Sequence, residues 1–281
     1  MSSEQQIKTL LRYLGFGLRL RREYLAPLLR DQPAVDWFEI ISESYLEADE
    51  SALQQLDELR EHYPIVMHGT SLAVGSPWPL DQVYLKKLRR LIDRVKPEWI
   101  SDHLCWSGAD DTQGQLLPLP YTQETRDHVI QRVRQVQDLL GRQILLENVP
   151  ADTGNTSPEI PEAEFLREVA EASDSLILID INNLHASSVN QGFHPQEYLK
   201  QIPEDRVKQI HLAGAVTLCG RQQHSPVQIA DPVWELYTTA LTLFGPVSTM
   251  IERVDTIPSL DEMVKEVEQA RCSTQRFLSI D

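Results

Sequence analysis

Cysteine is scarce in this 281-residue chain, which has only Cys105, Cys219 and Cys272. So small and odd a set excludes a disulfide-stapled scaffold and fits a reducing compartment. Long apolar runs are missing as well: none approaches the roughly 18–20 residues that span a bilayer. Basic residues are in deficit, with 26 Lys and Arg against 42 Asp and Glu and a net charge of −16. A surface this negative attracts a phosphate backbone or an anionic membrane poorly, so neither nucleic acid nor membrane is expected as a partner. The opening Met1-Ser2-Ser3-Glu4-Gln5-Gln6 has neither the basic nor the apolar region of a signal peptide. The expectation is a cytoplasmic protein. With 41% hydrophobic and 24% charged residues, the chain has ample material for a large core.

What is present is a repeating pattern. Short apolar, β-branched runs fall at Leu14–Leu20, Trp37–Ser42, Ile65–Ser71, Trp99–Trp106, Ile144–Pro150, Leu176–Leu184, Val207–Gly214 and Val247–Val254. Polar stretches with apolar residues at helical spacing separate them. Leu85, Leu88, Leu91, Ile92 and Val95 form one such stripe, and Val129, Val133, Val136, Leu139 and Leu140 another. Thr122 with Glu124, Ser157-Pro158-Glu159 and Asp231-Pro232 mark helix starts. Near-continuous apolar runs such as Leu176-Ile177-Leu178-Ile179 suit a parallel sheet covered on both faces. Eight strand–helix units in 281 residues are the arithmetic of a TIM (β/α)8 barrel, with a doubly wound open sheet as the competing arrangement. No Pro/Gly/Ser-rich linker or shift in composition divides the chain, so residues 1–281 are expected to form a single domain.

The chemistry lies in how these runs finish. The third ends in His68, the fourth in His103, the fifth in Glu147, the sixth in Asp180, the seventh in His211 and the eighth in Glu252. With 42 acidic residues and 8 histidines in the whole chain, six consecutive apolar strands are not expected to end this way by accident. In a barrel these ends converge on one mouth, where active sites of this architecture lie. Converging carboxylates repel one another and lose solvation unless a cation neutralises them, so the set points to metal. Imidazole and carboxylate without cysteine suit iron, manganese or zinc, and Glu147 can bridge two ions. Taken singly, each acid reads as a helix cap or salt-bridge partner and each histidine as a satisfied core residue; the convergence overrides this. His62, His128, His185 and His194 read as surface residues, Cys105 as a packing residue, and Trp78 and Trp106 as loops that line a peptide groove or cap the barrel. Arg253, beside Glu252, either meets a substrate carboxylate or neutralises an acidic mouth.

Several ordered stretches also resemble a known family. They include Gly15-Phe16-Gly17-Leu18-Arg19, Asp36-Trp37-Phe38-Glu39, His68-Gly69, Ser101-Asp102-His103-Leu104, Leu146-Glu147-Asn148-Val149, Asp180-Ile181-Asn182-Asn183, Ile210-His211-Leu212-Ala213-Gly214, Asp231-Pro232-Val233-Trp234 and Ile251-Glu252-Arg253. Together they resemble the multinuclear non-haem iron-dependent oxidative enzymes, formerly domain-of-unknown-function family 692. The resemblance implies a xylose-isomerase-like TIM barrel with two or three irons. It also implies O2-dependent modification of a ribosomally made, cysteine-containing precursor peptide, often with a separate protein that presents the peptide. By matching motif it makes His68, His103, Glu147, Asp180, His211 and Glu252 metal ligands, with Asn182 or Asn183 beside them. His224, in Gln222-Gln223-His224-Ser225-Pro226, matches a further family histidine. Where the family carries Asp two residues before it, this chain has Gln222, a neutral and poorer ligand that weakens or empties that metal position. Arg19-Leu20 and Glu43-Ser44-Tyr45 also depart from the family's Arg-Pro and Glu-Asn-Tyr.

Two other functions compete. One is a divalent-metal hydrolase or isomerase on the same kind of barrel, with zinc or manganese; the net charge of −16 opposes a DNA substrate, and no strand end supplies the lysine a sugar isomerase typically offers. The other is a catalytically degraded barrel acting as a binding partner, which Gln222 permits.

Overall fold

The computed structural model describes residues 11–106, 116–150, 158–218, 221–225, 228–253 and 258–279, with the backbone alone described at 215–218 and 221–225. Nine strands are present there: β1 (Phe16–Arg19), β2 (Trp37–Ile41), β3 (Ile65–Gly69), β4 (Ile100–His103), β5 (Leu145–Glu147), β6 (Leu176–Asp180), β7 (Val207–Leu218), β8 (Arg221–Ser225) and β9 (Ser248–Glu252). Strands β1 to β7 and β9 pair in parallel, each with the next, and β9 returns to β1, which closes an eight-stranded barrel. This is the expected (β/α)8 fold. The open-sheet competitor is excluded by that closure.

The helices are α1 (Leu25–Asp31), α2 (Glu43–Leu46), α3 (Glu50–His62), α4 (Gln82–Val95), α5 (Gln123–Leu140), α6 (Glu162–Ser173), α7 (Ile181–Gln191), α8 (Pro195–Leu199), α9 (Asp231–Phe244) and α10 (Leu260–Leu278). Their starts have identifiable causes. Thr122 caps α5 by accepting from the Thr125 N–H, and α9 opens on Asp231-Pro232 as expected, because proline needs no hydrogen-bond partner in the first turn. α6 starts later than the Ser157-Pro158 signal: Pro161 holds its own φ near −55° in extended backbone and bars a helix before it, so the first turn begins at Glu162. Ser157 lies outside the described residues.

Two further expectations are corrected. The run Leu176–Leu184 is not one strand; β6 ends at Asp180 and α7 follows without a loop, because the Asp180 side chain caps it by accepting from the Asn183 N–H at 2.7 Å. Beyond its barrel segment, β7 continues into an antiparallel hairpin with β8, from Gly214 opposite Ser225 to Leu218 opposite Arg221.

Alternation along each strand divides the core in two. Residues facing outward (Phe38, Ile40, Met67, Leu146, Ile177, Ile179 and Ile251 among them) join the helices in one large cluster. Residues facing inward fill the barrel's lower half: Trp37, Val66, Trp99, Leu145, Leu176, Leu178 and Met250 form a separate cluster. Trp37 and Trp99 meet edge to face at 5.9 Å. Gly17 makes room for them, since a Cβ there would stand 2.4 Å from the Trp37 ring.

Candidate metal centre

The same alternation builds the site. Two residues after inward Val66 comes His68, and two after Leu145 comes Glu147. Four residues beyond Trp99 comes His103, and four beyond Leu176 comes Asp180; Glu252 follows Met250 by two. Polar side chains therefore succeed apolar ones up the interior of the barrel. All six strand-end residues lie in its upper part, and five of them are buried while His103 is partly so.

Glu147 is the hub. Its Oε2 lies 3.2 Å from His68 Nε2 and 3.4 Å from His103 Nε2, and its Oε1 lies 3.4 Å from His211 Nδ1. The rings of His68 and His103 approach to 4.7 Å, and those of His68 and His211 to 5.4 Å. Two groups of donors, each with ligand atoms within 4.8 Å of one another, share this carboxylate: His68, His103 and Glu147 from three successive strands, then Glu147, Asp180 and His211. Glu252 lines the same rim outside both groups and pairs with Arg19 at 3.0 Å. Neither Glu147 Oε2 nor His211 Nδ1 has a hydrogen-bond partner among the described residues, although both are fully buried. Donors of one coordination sphere, at bond lengths of about 2.0–2.2 Å, stand roughly 3.0–3.6 Å apart, which matches these spacings. Buried donor atoms at that separation, with no hydrogen bond at Oε2 or Nδ1, fit a cation that would displace their protons.

The outer faces of the rings set which nitrogen is available. His68 Nδ1 meets Ser101 Oγ at 2.8 Å, a hydroxyl that donates its own proton to the Met67 carbonyl at 3.5 Å, and His103 Nδ1 meets the Gly69 carbonyl at 3.3 Å, so both present a bare Nε2 to Glu147. Burial pushes the His68 pKa well below its ordinary range, with His103 and His211 adding to the effect. Burial likewise brings His103 down to about 4. Both rings are thus neutral at physiological pH and need lose no proton to bind metal. Glu147 is pushed up to about 8, first by burial and then by Asp180 and Glu252, against the pull of His211. His211 is the exception among the rings: burial opposes its charge, but Glu39 and Glu147 outweigh burial and raise it well above the ordinary value.

Residues that the sequence reading passed over hold this arrangement. Asn148 clamps β5 to β6 as a peptide group would: its Oδ1 accepts from the Asp180 N–H at 2.9 Å and its Nδ2 donates to the Asp180 carbonyl at 3.1 Å. Asp102, fully buried on the outer face of β4, accepts from the N–H groups of His103 at 2.8 Å and Leu72 at 3.1 Å. Gly69 leaves space for that carboxylate, for a Cβ there would lie 2.4 Å from Asp102 Oδ2. The signal in sequence was position: each stands within a residue of a donor or shares its inward parity.

The other expected residues fall out as follows. Asn183 donates to the Asn148 carbonyl at 3.0 Å, whereas Asn182 is fully buried with neither amide atom partnered among the described residues. Arg253, one residue past inward Glu252, faces the helices and pairs with Glu266 of α10. The side chains of Gln222 and His224 lie outside the described residues, as does Cys219; the backbone sets His224 opposite Ala215 and Gln222 opposite Thr217. Cys105 is buried, and burial raises its thiol pKa. His62 and His194 are exposed, His128 binds the Ser76 carbonyl at 2.9 Å, and half-buried His185 sits on α7. Trp78 and Trp106, on the loops that follow β3 and β4, are 55% and 36% exposed.

Solved structures with this architecture include a xylose isomerase-like TIM barrel protein from Mycobacterium smegmatis in complex with magnesium (TM-score 0.61, 15% identity, covering 94% of this chain and 97% of that one). Endonuclease IV from Thermus thermophilus is equally similar in fold (TM-score 0.61, 15% identity, 93% and 99% covered). In sequence, UPF0276 proteins of Anaeromyxobacter sp. (strain Fw109-5) and Caulobacter vibrioides (strain NA1000 / CB15N) are 43% and 42% identical, over 92% of both chains in the first case and 94% and 95% in the second. Residues 15–275 match the family described as RiPP precursor modification enzyme MbnB/TglH/ChrH. A chain matched over nearly its whole length, with buried donors that could hold metal at the mouth of a closed barrel, belongs to that family of peptide-modifying enzymes.

Proposed function

We propose that this protein is an iron-dependent oxidative enzyme that uses O2 to modify a ribosomally made precursor peptide at cysteine. The observation that carries the reading is the placement of Glu147, whose buried oxygens face three imidazole nitrogens at 3.2–3.4 Å with no hydrogen bond to close the gap at Oε2. His68, His103, Glu147, Asp180 and His211 are the residues that would hold two ions, with Glu252 at the rim, Asn182 or Asn183 orienting a ligand, and His224 serving a further position that Gln222 in place of Asp weakens. A donor set of nitrogen and oxygen without thiolate suits iron over softer metals. Bound there, iron supplies one-electron chemistry and an open position for O2.

The chain's own residues do the rest. Neutral His68 and His103 donate without competing for protons, and Arg19 offsets the charge of Glu252. The buried apolar layer of Trp37, Val66, Trp99 and Leu145 closes the barrel below the donors, so substrate reaches them from the mouth alone. Trp78 and Trp106 on the loops above would flank an incoming peptide. Three cysteines in all, with Cys105 buried, suit work in a reducing cytoplasm. A peptide-presenting partner protein completes the reading.

The test is protein purified under low oxygen, analysed for metal identity and stoichiometry, then mixed in air with the cysteine-containing peptide encoded beside it and the partner. Iron, O2 uptake and a changed peptide mass are expected. Iron-loaded protein that consumes no O2 and leaves the mass unchanged overturns the proposal, as does a native complement of colourless zinc or manganese.

A further inference from the structure

Glu39 lies in the middle of β2 with its side chain inside the barrel, fully shielded from solvent. Its Oε2 stands 2.6 Å from Gln209 Nε2 and 3.1 Å from His211 Nε2. The Trp99 indole N–H donates to Gln209 Oε1 at 2.5 Å. An indole N–H can only donate, so the Gln209 amide is fixed with its oxygen toward Trp99 and its NH2 toward Glu39. That NH2 is also 2.7 Å from His211 Nε2 and can donate there only when Nε2 is bare. When Nε2 carries the proton, as it must once Nδ1 is given to an ion, Glu39 Oε2 is the acceptor that faces it.

We propose that Glu39 is a positioning residue for the metal centre: it accepts the Nε2 proton of His211, so that the ring offers Nδ1 to an ion held by Glu147, Asp180 and His211. The inference rests on the metal reading above. An imidazole that coordinates through one nitrogen keeps its proton on the other, and a carboxylate on that proton fixes the tautomer, orients the ring and strengthens the donor. The geometry has both halves, with Nε2 on Glu39 and unpartnered Nδ1 3.4 Å from Glu147 Oε1. His68 and His103 are different, for their far nitrogens rest on a hydroxyl and a backbone carbonyl. The two ion positions are thereby unequal: one is served by two neutral-backed rings, the other by a ring backed by a buried negative charge.

Fe(II) under exclusion of O2, and Zn(II) separately, are titrated into metal-free wild-type protein and Glu39→Gln against a competing chelator; Co(II) spectra show which ion is affected. The expected result is a loss of about 10–100-fold in affinity for one ion, with the other unchanged. Removing one partner of this buried pair lowers the melting temperature of the metal-free protein in either case, so the discriminating readout is selectivity: a merely structural Glu39 would weaken both ions together or neither. Trp99→Phe, which removes the N–H that fixes Gln209 together with part of a buried ring, weakens the same ion by a smaller factor and leaves the other unchanged, and serves if Glu39→Gln does not fold. Wild-type affinity at both positions, or an equal loss at both, overturns the proposal. Wild-type protein that takes up no metal overturns the metal reading itself, before any variant is made.

Discussion

Glu147 gives one oxygen to a pair of imidazoles and the other to a third, so no substitution elsewhere at the rim touches as much of the site. Glu147→Gln is expected to abolish binding at both ion positions in metal analysis while the metal-free fold survives, because the amide replaces a carboxyl that the metal-free fold already keeps protonated below about 8. The titrations of the rim also give the metal-free protein a pH signature. Burial holds His103 down to about 4, so as pH rises from there to the ordinary histidine range the unfolded chain carries a proton the folded one refuses, and stability climbs. Glu147 works the other way: held up to about 8, it keeps a proton in the fold that the unfolded chain has already released, and stability falls as pH rises toward that value. Metal-free protein should therefore melt at lower temperature at pH 8.5 than near about pH 6.5, and saturating metal should cancel the difference, since the ion displaces the proton. A melting temperature that rises between those two pH values without metal would contradict it. The strand-end donors were legible because each breaks an apolar run at inward parity. Glu39 and Gln209 were not, because a polar residue in mid-strand looks alike in sequence whether it faces a ring or a helix.

At the next scale, α7 and the helix ends at the bottom of the barrel separate two kinds of work. Asp180 is both a donor of the second triad and the cap of α7. Asparagine caps as well as aspartate, so Asp180→Asn is expected to hold the melting temperature of the metal-free protein while metal content drops; a fall in both would make the residue structural only. At the opposite end, arginines on or just after one helix close carbonyls at the end of a neighbouring helix or in the connection that follows it. Arg89 donates to the Leu140 carbonyl at 2.6 Å, and Arg142 to Pro97 at 3.2 Å and Glu98 at 2.7 Å; Arg134 reaches the Ala172 carbonyl at 2.5 Å. These side chains line a recess of about 650 Å³ far from the metal centre, on the face that governs stability in barrels of this kind. Arg142→Ala should lower stability by about 2 kcal/mol in denaturant unfolding and leave metal content unchanged. The helices were readable from their apolar stripes. The short β8 was not, since Arg221-Gln222-Gln223-His224-Ser225 has no apolar alternation and is a strand only because β7 runs on beside it.

For the whole molecule, closure is what assembles the centre, because donors from His68 to Glu252 meet only when the strands stand in register around the barrel. Metal bound to the folded state alone should stabilise the protein by about 4 kcal/mol at a free ion concentration a thousandfold above Kd, read as a melting temperature that falls on adding chelator. None of the described helices is long and apolar enough to cross a membrane. β5 is three residues long, yet both triads depend on it. So short a stave has little purchase of its own and takes its height from its neighbours and from the amide of Asn148. A slip of one residue would swing Glu147 out among the helices and bring Leu146 inside. Misalignment would then spoil both positions in one stroke, so the barrel either assembles the whole donor set or none of it.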